Sequence, residues 1–65
     1  MDIFMVICST AGHQVSKDRF NDYDQALDYA NKQNEIKGYS VLILQLDYET
    51  MKWQRRLVLY PCENC

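Results

Sequence analysis

Only one stretch of this sequence, residues 22–36, carries helical periodicity, and it lies between runs of β-forming residues. Tyr23, Ala26, Leu27 and Ala30 fall at i, i+3, i+4 and i+7, a single apolar face. Two of the four are alanines, so this face can lie close against a sheet. Asp22 followed three residues later by Gln25 fits a capping box, and Asp22 and Asp24 suit the positive end of the helix dipole. Gly38 supplies the left-handed residue that commonly ends a helix. One helix can cover one side of a sheet and no more. A chain with one helix and several strands therefore leaves its second sheet face to something else.

The remaining residues read as strands. Residues 3–10 begin with a continuous apolar run, Ile3 to Cys8, as expected of a strand covered on both faces. The run meets a turn-like cluster, Ser9-Thr10-Ala11-Gly12, in which Gly12 can take the positive φ of a hairpin. Residues 13–19 read as a short antiparallel edge strand guarded by Lys17, Asp18 and Arg19, with a loop as the alternative. Residues 39–48 and 51–60 are two more strands, and Pro61 ends the second, leaving a tail at 61–65. A two-residue turn at Glu49-Thr50 would pair Asp47 with Lys52, Leu46 with Trp53 and Val41 with Val58. Glu-Thr is a poor type I′ turn, so a longer loop is the alternative. The expected fold is a single α+β domain over residues 1–65. It is a small antiparallel sheet of three to four strands with one helix on one face, of ββαββ or βαββ order.

That register assigns the faces. Leu42, Leu44, Leu46, Trp53, Leu57 and Leu59 would meet the helix. Tyr39, Val41, Ile43, Val58 and Tyr60 would lie on the opposite face together with Arg56. An Arg among tyrosines is a common interface anchor. These six are the candidate partner-binding residues. The chain is 48% hydrophobic over only 65 residues, more apolar surface than one helix and a small sheet hide. The excess points to a protein partner or to a homo-oligomer.

Other constellations carry less. Cys62-Glu63-Asn64-Cys65 is a C-x-x-C tail, and Cys62 and Cys65 could grip zinc if Cys8 and His13 completed the set of four ligands. Two free thiols on a tail is the simpler reading, so no cofactor is expected and zinc is the alternative. Asp24 and Asp28 lie on the outer face of the helix and could mimic a polyanion, although a solvated helix surface is the simpler account. His13 is the sole histidine and has no recognisable partner. No paired carboxylates and no nucleophile with its base are legible, and no catalytic residue is assigned. Binding is expected, not catalysis.

The net charge of -2 and a pI near 5.1, with basic residues scattered, argue against nucleic acid. A small nucleotide held by Arg56, Lys52 and tyrosines is an alternative. No run approaches the roughly 20 apolar residues of a membrane span, and Asp2 sits where an export signal carries a cation. The expected setting is the cytoplasm, with reduced thiols.

The pattern Phe20-x-x-Tyr23-x-x-Ala26-Leu27-x-Tyr29-Ala30, set between an apolar strand and a hairpin, resembles that of small bacteriophage accessory proteins of the ββαββ type. The resemblance covers about residues 3–60. It is one of packing and supplies no site residue. It implies a phage-encoded protein of the host cytoplasm that binds and blocks a host enzyme or defence system, or sequesters a signalling nucleotide.

Overall fold

A computed structural model describes residues 2–61. Strands β1 (Phe4–Thr10) and β2 (His13–Phe20) precede helix α1 (Tyr23–Lys32), and strands β3 (Ser40–Asp47) and β4 (Lys52–Leu59) follow it. The strands form one antiparallel sheet in the order β2-β1-β3-β4, with α1 on one face. The fold is the small α+β domain of ββαββ order, and residues 13–19 belong to an edge strand.

The turn between β1 and β2 is two residues long, because Thr10 pairs with His13. Ala11 and Gly12 both have positive φ, 51° and 79°, as a type I′ turn requires. Gly12 adopts this at no steric cost, whereas Ala11 carries a penalty of about 1 kcal/mol. The turn between β3 and β4 is longer than two residues. Asp47 does pair with Lys52 and Leu46 with Trp53, but four residues, Tyr48 to Met51, make the connection. Met51 takes the left-handed φ there, and Asp47 accepts a hydrogen bond from the Glu49 amide at 3.0 Å.

Asp22 caps α1, its carboxylate accepting from the Asp24 amide at 3.2 Å. The helix then widens into a π-helical turn, Gln33–Lys37, and stops at Gly38, whose φ is 73°. The widened turn places Asn34 between two strand ends. Its side-chain amide donates to the Tyr39 carbonyl at 2.9 Å and to the Tyr60 carbonyl at 3.0 Å. One side chain thus ties the helix terminus to the start of β3 and the end of β4.

The core lies between α1 and one face of the sheet. Phe4, Val6 and Cys8 from β1, Val41 and Ile43 from β3, and Ala26 and Ala30 from α1 form it. Phe20, Tyr23, Leu27, Tyr29, Tyr39, Leu57 and Leu59 pack around it half-buried. Phe4 meets Tyr23 and Phe20 meets Tyr29 in tilted aromatic pairs at 5.4 and 5.3 Å. Among the described residues no polar or charged side chain is buried.

This core reverses part of the expected face assignment. Val41 and Ile43 are 1% and 0% exposed beneath α1, while Leu42, Leu44 and Leu46 are half-buried on the far side. Leu57 and Leu59 do meet the helix side, as expected. An extra residue in β4 divides the set expected to lie together. Leu44 pairs with Arg55 but Ile43 pairs with Leu57, so Arg56 is bulged out of the ladder. The bulge changes the phase of β4 and sets Leu57 and Leu59 opposite Ile43 and Val41, and Val58 opposite Leu42. Short β-branched residues then face the close-lying alanines of α1, and the longer leucines of β3 point away.

Candidate functional site: the sheet face opposite the helix

The alternation of side chains along each strand fixes the membership of the far face. Phe4, Val6 and Cys8 point to α1, so Met5 and Ile7 point away. The residues directly across from them share their side: Arg19 and Lys17 on β2, Leu44 and Leu42 on β3. Across β3, Arg55, Val58 and Trp53 join the same face. Its middle is an apolar strip of Met5, Ile7, Leu42, Leu44, Leu46 and Val58. Trp53 extends the strip to the β3–β4 end. No other described element lies over it.

The strip is partly shielded by its own sheet. Met5 is only 5% exposed although no helix covers it, because Arg19 flanks it on one strand and Leu44 on the other. The stem of an Arg can cover an apolar neighbour in this way and keep its head in water. Lys17, Arg19 and Arg55 are all exposed. A shallow groove of about 220 Å³ crosses the face, lined by Ile7, Leu42 and Val58 with Ser9, Ser40 and Arg55 at its polar margin.

Charge is segregated between the two sides. The chain has nine acidic residues, of which Glu63 lies outside the described residues. Six of the other eight lie away from the far face. Asp22, Asp24, Asp28 and Glu35 belong to the helical segment and its cap. Asp18 sits opposite Val6 and points to α1, and Asp47 shares the side of Gln45 and Ile43. Asp2 and Glu49 line a second hollow of about 310 Å³ at the β3–β4 end, with Asp47 and Gln54. Leu46 and Tyr48 also line that hollow, and within it Asp47 accepts from the Gln54 amide at 2.9 Å. Among the paired strand residues, the far face carries three cations and no anion.

Polar chemistry on the helix side is structural. The Tyr29 hydroxyl donates to Asp18 at 2.8 Å, linking α1 to β2. The Asp18 acceptor, helped by burial, holds the phenol proton and raises the Tyr29 pKa above its ordinary value.

The six residues expected to form a binding face are not brought together. Val58 lies on the far face. Val41 and Ile43 are core, and Tyr39 packs beside them on the helix side. Arg56, displaced by the bulge, sits over the Tyr23 ring with its guanidinium carbon 5.8 Å from the centroid, a cation–π contact on the helix side. Tyr60 is 76% exposed beyond the end of β4. Asp24 and Asp28 are exposed on α1 as expected, and Asp28 pairs with Lys32 at 3.0 Å in the i, i+4 manner. Cys62 and Cys65 lie outside the described residues. Of their suggested co-ligands, Cys8 is fully buried in the core and His13 is exposed at the start of β2. Among the described residues no three metal-ligating side chains cluster.

The residues missed by sequence reasoning are Leu42, Leu44, Leu46, Trp53, Lys17, Arg19 and Arg55. A signal for the shift was present. In an unbroken β4, Arg55 alternates onto the same side as Leu57 and Leu59, beside the helix, and the bulge at Arg56 turns it to the far face instead.

Comparison with protein families, with curated proteins and with solved structures gave no match. No described helix is long and apolar enough to cross a membrane.

Proposed function

We propose that this chain is a non-enzymatic binding module that docks a protein partner through the sheet face opposite α1. The observation that carries this reading is an uncovered apolar strip flanked on the paired strands by Lys17, Arg19 and Arg55 and by no carboxylate. Leucine, methionine and tryptophan supply the desolvated centre of an interface, and arginines and lysines at its margin select an acidic surface. Two copies stacked through this face would oppose like charges, so the pattern favours a different protein over a second copy. The resemblance to bacteriophage accessory proteins adds the partner's class, a host protein blocked by occupancy of its surface.

The test is affinity purification from the producing cells with a panel of variants. The wild type, Asp24→Lys and Asp28→Lys are expected to retain the same partner. Leu44→Asp and Arg55→Glu are expected to lose it while their circular dichroism stays that of the folded chain. Retention of the partner by folded Leu44→Asp and Arg55→Glu would refute the reading.

A further inference from the structure

The dimensions of the far face narrow what can occupy it. Its cations stand on two flanks, with Lys17 and Arg19 on β2 and Arg55 on β4, on either side of the apolar residues of β1 and β3. Neighbouring strands lie about 4.8 Å apart, so three steps separate the flanks by roughly 14 Å. An α-helix with its side chains is about 10–12 Å across. From Leu42 to Leu46 the strip runs roughly 14 Å, the length of about nine helical residues. The chain itself shows the same solution on its other side, where ten-residue α1 covers one face of the sheet.

Resting on the reading above, we infer that the partner element is an amphipathic helix whose apolar stripe is bordered by acidic residues on both sides. Its stripe lies along Met5, Ile7, Leu42 and Leu44, and its two acidic borders meet Lys17 and Arg19 on one flank and Arg55 on the other. The complex is a three-layer sandwich with the sheet between α1 and the partner helix. An extended acidic strand fits less well, because a single strand sits within reach of one flank only.

Trp53 is the chain's one tryptophan and lies on this face opposite Leu46, so its emission reports occupancy directly. The probe is a synthetic helical peptide of about 18 residues, five turns, with a leucine stripe bordered by glutamates. Its controls are a twin with lysine borders and a peptide of the same composition in scrambled order. Saturable binding of the glutamate peptide, at least roughly tenfold tighter than either control, is expected. The preference should shrink at about 1 M salt, where charges are screened beyond about 3 Å. It should vanish in the double variant Arg19→Glu, Arg55→Glu. Equal affinity for the three peptides, or no saturable binding, overturns the helix inference. If the peptides fail while Leu44→Asp still costs the chain its cellular partner, the helix inference alone falls. If folded Leu44→Asp and Arg55→Glu keep that partner, the docking face falls with it.

Discussion

The two faces of this sheet are made from alternate residues of the same strands, yet they are built to different rules. Beneath two helix alanines the covered face sets the short or β-branched Val6, Cys8, Val41 and Ile43, with Phe4, Phe20, Leu57 and Leu59 around them. The open face uses longer side chains, Met5, Leu42, Leu44 and Leu46, with cations at its flanks. The difference teaches that on β3 the close approach of the helix, set by Ala26 and Ala30, favours the valine–isoleucine phase inside over the leucine phase. Hydrophobicity alone does not select it, since leucine exceeds valine in apolar area and still faces outward here.

The contrast can be broken by truncating neighbours on opposite faces. Ile43→Ala removes a fully buried side chain and should cost about 2–5 kcal/mol, measured by chemical denaturation. Leu44→Ala, one residue away and half-buried, should cost about 1 kcal/mol. Equal costs would mean that the two faces are equally covered. That result would remove the basis for a docking surface.

A smaller effect sharpens the account of the covered side. Tyr29→Phe deletes the hydroxyl that joins α1 to β2 through Asp18, and should cost about 1 kcal/mol near neutral pH. The Tyr29 pKa is raised in the folded chain, so the folded state favours the protonated phenol. Its stabilisation is fully present below the unfolded value of about 10 and is lost as pH rises through the folded value. The stability margin of the wild type over Tyr29→Phe should therefore narrow only on the alkaline side of that range. A margin that stayed constant through alkaline titration would contradict the hydrogen bond as its source.

Much of the fold was legible because local rules agreed with one another. The Asp22 cap, the Ala26 and Ala30 face, Gly38 and the sequence of elements along the chain follow from propensity and period, whereas the strand order within the sheet does not. The edge position of β2 and the pairs Asp47–Lys52 and Leu46–Trp53 also followed. The candidate site was not legible in the same way. Its membership rests on which phase of β3 meets α1 and on one inserted residue, Arg56, which puts Leu57 and Leu59 out of phase with Arg55 and Trp53. The stacking of Arg56 on Tyr23 and the tie from Asn34 to two strand ends are tertiary contacts with no local signature. The charge segregation becomes visible only once the register is known, because Lys17, Arg19 and Arg55 are scattered along the chain.

The central claim, that the face opposite α1 is where this chain binds, is tested most directly by hydroxyl-radical footprinting of the chain with its captured partner, read by mass spectrometry. The account predicts protection of Leu42, Leu44 and Trp53 on complex formation, with Tyr23 and Leu27 on α1 unchanged. Protection confined to α1, with Leu44 and Trp53 as reactive as in the free chain, would contradict it.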